Sequence, residues 1–121
     1  MDYDKFCAET LNLNSQIRFA AILNNKGEKV AGGTRENISS MLSPDEVQMS
    51  MYYASRRWDS RGKLSHRIGT AKYSVTAYEK VNQITIPIDK NNLLLLSTEP
   101  SVKPLEIIDK VLELIKNIYN I

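Results

Sequence analysis

The sequence predicts an α+β domain: a five-stranded antiparallel sheet with flanking helices, in the order α-β-β-α-β-β-β-α. Three observations carry that reading. Apolar residues alternate with period two near residues 17–23 and 84–88, the repeat of a strand with two distinct faces. They recur at helical spacing in two longer stretches, 44–62 and 102–119. Turn-forming residues separate the strand segments at short intervals, which suits antiparallel neighbours.

Residues 2–13 read as a short helix, with Tyr3, Phe6, Cys7, Thr10 and Leu13 on one side. Asp2 and Asp4 stand in its first turn, where the helix dipole favours negative charge. In the strand 16–24, Ile17, Phe19, Ala21 and Leu23 alternate with Arg18, Ala20, Ile22 and Asn24. The second set is itself partly apolar, so helices are expected over both faces. Asn24-Asn25-Lys26-Gly27 is a turn, because Asn and Gly tolerate positive φ. Glu28–Ala31 is expected to return as a short strand that Gly32-Gly33 ends.

The next helix has the clearest start. Ser43 suits the N-cap, Pro44 the first helical position, and Glu46 completes a capping box. Leu42 is placed to pack on Val47 as a hydrophobic staple. Val47, Met51, Ala54 and Trp58 form the stripe expected to face the sheet, with Trp58 as a buried anchor, and Gly62 is a plausible stop. Residues 64–69 read as loop. Strands follow at 71–80, 83–88 and 93–98, with turns at Asn82 and at Asp89-Lys90-Asn91-Asn92. Pro87 cannot donate to a ladder and needs an unpaired position or a bulge. Leu93-Leu94-Leu95-Leu96 is continuous, as in a central strand covered on both faces. The last helix carries Leu105, Ile107, Ile108, Val111, Leu112, Leu114, Ile115, Ile118 and Tyr119 on one side. That arc is roughly 200° wide, against the ~100° that one sheet contact needs. Helix one or a second subunit is expected to cover the excess.

The totals bound the class. The 121 residues suit one domain, 1–121, and no repeat, low-complexity stretch or linker divides them. A hydrophobic fraction of 42% with a net charge of only +2 argues against disorder. One cysteine, Cys7, excludes an internal disulfide and agrees with a reducing compartment. No run is long enough to span a membrane, and the acidic start Met1-Asp2-Tyr3-Asp4 lacks the features of a signal peptide. The expectation is therefore a cytoplasmic protein with no membrane partner.

The segment Ile17–Ala31, with its strand, Asn-Asn-Lys-Gly-Glu turn and return into small residues, resembles the first hairpin of the roadblock/LC7 group, within the profilin-like and longin-like architectures. Leu93–Thr98 followed by a closing helix resembles that group's end, and the layout is also similar to that of small archaeal domains. The resemblance covers nearly the whole chain in order of elements, without a specific motif. It implies a homodimeric or heterodimeric platform without catalytic residues, paired through the central helix and the strand after it. Such relatives serve as scaffolds or regulators of small GTPases and motors. PAS and Cache sensor domains use a hairpin of the same type, so a small-ligand sensor is an alternative.

Little in the sequence points to chemistry. His66 is the only histidine and has no second His or Cys to make a metal site; with Ser65 it lacks the third group of a catalytic arrangement. Gly27, Gly32, Gly33, Gly62 and Gly69 fit no phosphate-binding signature. Asp45 and Glu46 are explained by their place at a helix start. No catalytic residue, metal or cofactor is expected. Two surfaces stand out instead. If the Val47–Trp58 stripe faces inward, Met49, Tyr52, Tyr53 and Arg56 face outward, where charges are usual. Met, Tyr and Arg are residue types enriched at interfaces. Burial under a neighbouring loop is the plainer explanation; an interface with a second copy or another protein is the sharper one. Between Arg56 and Lys72 lie six basic residues (Arg56, Arg57, Arg61, Lys63, Arg67, Lys72) and one acid, Asp59. A solvated helix end accounts for part of this charge. The remainder is expected to bind anions weakly and in a salt-sensitive way, without sequence-specific nucleic-acid recognition.

Overall fold

The computed structural model describes residues 1–119. The elements are α1 (Tyr3–Leu11), β1 (Ile17–Leu23), β2 (Lys29–Thr34), α2 (Pro44–Gly62), α3 (Ser65–Ile68), β3 (Ser74–Ala77), β4 (Asn82–Pro87), β5 (Leu93–Thr98) and α4 (Pro104–Tyr119). The five strands form one antiparallel sheet in the order β2-β1-β5-β4-β3. The expected layout holds, with one additional single-turn helix.

The alternation of β1 sorts its side chains onto two covered faces. Ala20 and Ile22, with Leu94 and Leu96 of β5 and Ile84 and Ile86 of β4, meet Phe6 and Cys7 of α1 and Ile107, Ile108 and Val111 of α4. Ala21, Leu23 and Leu95 point the other way, to Met51 and Ala54 of α2, with Phe19 and Val47 at the margin. Ile17 has the parity of the α2 face yet packs with the α1–α4 core, because the β1–β5 register shifts between Ile17 and Phe19. The Leu93–Leu96 run is buried throughout, as a central strand between two layers requires. Pro87 pairs with Leu93 at the end of β4, beyond the register of β3.

The structure corrects several boundaries. Gly32 and Gly33 do not end β2; they lie inside it, paired with Ala21 and Ala20. There the backbone approaches α1 so closely that a Cβ on Gly32 would lie 2.1 Å from the Ala20 carbonyl oxygen and 2.9 Å from Cys7 Sγ. Glycine is needed for close approach, which composition does not distinguish from a turn. Residues 65–68 are helical rather than loop. β3 is shorter than the segment 71–80, and Asn82 is a buried strand residue whose Nδ2 donates to the Val102 carbonyl at 3.1 Å. Trp58 is half-buried and outside the cluster that Met51 and Ala54 join, so it is not the buried anchor expected. On α4, Leu105 and Leu112 stay exposed at 59% and 36%, so part of the wide apolar arc has no cover. The side chain of Tyr119 lies outside the described residues.

Candidate interaction surface

α2 starts where its residues dictate. The Ser43 hydroxyl accepts from the Glu46 N–H at 3.2 Å, and the Glu46 carboxylate accepts from the Ser43 N–H at 3.0 Å. Two polar clamps then fix the helix on the sheet. Gln83 Nε2 of β4 donates to Ser50 Oγ at 3.0 Å, and Ser55 Oγ donates to the Asn25 carbonyl at 3.3 Å. The second clamp joins α2 to the β1–β2 turn. Gly27 of that turn has φ +79, and a Cβ there would come within 2.8 Å of Tyr52 Cα. The turn thus packs against the helix backbone, and the rotation of α2 is settled from both sides.

That rotation puts Met51 and Ala54 inward and Met49, Tyr52, Tyr53 and Arg56 outward, as the spacing requires. Met49, Tyr52 and Tyr53 are 56%, 49% and 52% exposed. No loop buries them. The Tyr52 and Tyr53 rings meet edge to face, with centroids 5.5 Å apart. Met49 lines one wall of a half-open groove of about 1000 Å³ between α2, the 40–42 loop and the turn after β3. Met41, Leu42, Tyr78 and Val81 line the same groove, over a floor of Phe19 and Leu95. Tyr52, Tyr53 and Arg56 lie outside it, on the crest of the helix.

The groove exists because α2 is offset toward β1 and β5. On the same face the register places the polar Gln83, Thr85, Ser74 and Thr76 beyond Leu95; Gln83 reaches α2 through Ser50, Thr85 is buried, and Thr76 nearer the edge is exposed. At the margin of that half stands β3, whose outer edge pairs with no strand among the described residues. Its residues Ser74, Val75, Thr76 and Ala77 include none of the Pro, Gly or Lys that usually blunt an edge. The opposite edge, β2, carries Lys29 and two positive-φ glycines.

Sequence reasoning missed two arginines that shape this surface. Arg18 pairs with Glu99 at 2.6 Å and donates to the Ser39 carbonyl at 2.9 Å, tying the loop before α2 to the end of β5. Arg35 donates to the carbonyls of Ile17 (2.7 Å), Asn14 (2.9 Å) and Leu11. Neither has a local signature, since their partners are backbone oxygens or residues remote in sequence.

The basic residues Arg56, Arg57, Arg61, Lys63, Arg67 and Lys72 are all exposed, from the last turns of α2 to the approach to β3. Arg61 lies over the Trp58 ring, 6.0 Å from its centroid. His66 is exposed on α3, and Ser65 Oγ donates to the Gly62 carbonyl at 2.7 Å. Among the described residues no three His, Cys, Asp or Glu side chains gather as metal ligands. Cys7 is buried; burial and then the Asp4 carboxylate push its thiol up to about 11, away from the thiolate form that redox chemistry uses.

A family model described as a family of unknown function, DUF6659, matches residues 1–120. No curated protein matches the chain. Solved structures do, at low identity. The Roadblock/LC7 domain from Streptomyces avermitilis superposes with a TM-score of 0.74 at 13% identity, over 98% of this chain and 95% of that one. The gliding protein MglB from Thermus thermophilus gives 0.74 at 15%, over 92% and 80%. A further MglB structure, described as having a tetrameric arrangement, gives 0.74 at 16%, over 92% and 79%. Profilin from Schizosaccharomyces pombe gives 0.62 at 15%, over 97% and 95%. The fold is thus the roadblock fold, within a wider profilin-like architecture.

Proposed function

The chain belongs to the family of unknown function DUF6659, and we propose that it is a non-enzymatic regulatory scaffold that pairs with a second copy of itself and presents the pair to another protein. One observation carries the reading: an exposed Met–Tyr–Tyr crest on α2 stands beside an apolar-walled groove and an unblunted edge strand. A solvated helix has no use for three large apolar side chains in a row of exposed positions, whereas an interface core does. An open edge offers backbone donors and acceptors to another strand, which supplies affinity, while flanking side chains supply specificity. The roadblock fold and the tetrameric arrangement described for an MglB structure support self-association. Small-ligand sensing needs an enclosed chamber, and the groove here is half-open.

Light scattering after size exclusion, at tens of micromolar protein, tests the pairing. A dimer mass is the expected result, and Tyr53→Glu should shift it toward monomer, because a carboxylate without a partner is costly to bury. A monomer mass for the native chain would end the proposal.

A further inference from the structure

We infer that the corner formed by the end of α2 and by α3 docks on an anionic lipid surface. The inference rests on aliphatic side chains standing exposed amid positive charge that has no acidic partner. Leu64 precedes α3 and Ile68 ends it, and the Ile68 N–H donates to the Leu64 carbonyl at 3.1 Å. The two side chains therefore stand one helical turn apart on one side. They are 56% and 80% exposed, and neither belongs to a core cluster of the fold. Arg56, Arg57, Arg61, Lys63, Arg67 and Lys72 surround them in sequence, all exposed. The ion pairs among the described residues lie elsewhere, Lys5 with Glu9 and Arg18 with Glu99. Asp59 is the single acid of the stretch, in a chain whose remainder is net negative.

The chemistry of the patch selects its occupant. A second copy would set one strongly positive corner against another, which repels. A single-stranded nucleic acid is held by charge with aromatic stacking, but the exposed Tyr52, Tyr53 and Tyr73 lie in sequence outside the Arg56–Lys72 run, Trp58 within it is half-buried with Arg61 over its ring, and the exposed pair amid the charge is aliphatic. An anionic bilayer uses both features. The aliphatic pair enters the boundary between headgroups and acyl chains, while guanidinium and ammonium groups remain at the phosphates. No helix among the described residues is long and apolar enough to cross a membrane, so the mode is peripheral and reversible.

Co-sedimentation of the full chain with phosphatidylcholine vesicles, with and without phosphatidylserine, tests this. Binding is expected only with phosphatidylserine and at low salt. Ile68→Ser should weaken it about tenfold, the worth of burying one aliphatic side chain. Arg67→Gln should weaken it about fivefold. Both side chains are exposed, so both variants should keep the native melting temperature and oligomer mass. Sedimentation of Ile68→Ser equal to the native chain would overturn the inference, as would no binding to phosphatidylserine vesicles at low salt. So would a stronger, Ile68-dependent association with a single-stranded oligonucleotide or with polyglutamate, which would make the patch a nucleic-acid or acidic-protein site.

Discussion

At Gly32 the β2 backbone runs at φ +87 with Ala20 and Cys7 pressed against the place a Cβ would take. Gly32→Ala therefore combines a strained dihedral with a backbone clash, and both α1 and β1 would have to move. The expected cost is more than ~2 kcal/mol in urea unfolding, and a cost near zero would mean that β2 and α1 are not this close. Cys7, the other partner in that contact, supplies a pH test. Its thiol is pushed up from 9.0 to about 11, first by burial and then by Asp4. Below pH 9 the thiol is neutral in both folded and unfolded chains, and its contribution is fully present. Between about pH 9 and pH 11 the unfolded chain releases the proton and the folded chain keeps it, so stability falls as pH rises. A Cys7→Ala variant should lack that part of the alkaline decline, and native Cys7 should resist alkylation at neutral pH until denaturant is added. Asp89 shows the opposite balance. Burial alone would raise its pKa, but donation from the Asn91 and Asn92 N–H groups, the Asn92 amide and Tyr3 holds it below the ordinary carboxylate range.

The central helix shows how far an element can be read from its own residues. Its start follows from Ser43, Pro44 and Glu46 alone, because a capping box is a local exchange of hydrogen bonds. Its inward face follows from spacing as far as Ala54. One turn later the reading fails at Trp58, which continues the stripe in sequence but is only half-buried. Periodicity gives a direction around the helix axis; it does not say where along the axis the sheet ends. Trp58→Ala should accordingly cost about 1–2 kcal/mol, not the 3–5 kcal/mol of a fully buried aromatic. A loss in the upper range, measured by chemical unfolding, would place Trp58 in a buried interface of the assembled protein.

Over the whole molecule, the two sheet faces are unequally covered. α1 and α4 share one face and bury a large cluster there, whereas α2 alone lies on the other, leaving the groove and the β3 edge. The self-pairing proposed above would cover that deficit, and it has a second readout. A folded state stabilised by association becomes more stable as protein concentration rises, so the melting temperature should climb with concentration and cease to do so in Tyr53→Glu. Leu64, Arg67 and Ile68 lie beyond this surface in the chain and Arg56 is common to both, so Tyr53→Glu and Ile68→Ser separate pairing from lipid docking.

By itself the sequence determined the order of the elements other than α3, the five strands, the start of α2 and the outward turn of Met49, Tyr52 and Tyr53. Each of these depends on a period or an exchange of bonds within a few residues, which neighbouring side chains alone specify. It did not determine that Gly32 and Gly33 continue a strand, since close approach to Cys7 and a chain reversal both call for glycine. Nor did it show that Arg35 holds three carbonyls from 18 to 24 residues away, or that Leu64 and Ile68 are left in solvent. Those outcomes depend on which surfaces meet when the layers pack. An apolar side chain carries no mark of whether the fold has a partner for it, so the exposed pair, the open groove and the free edge were decided only by the tertiary structure.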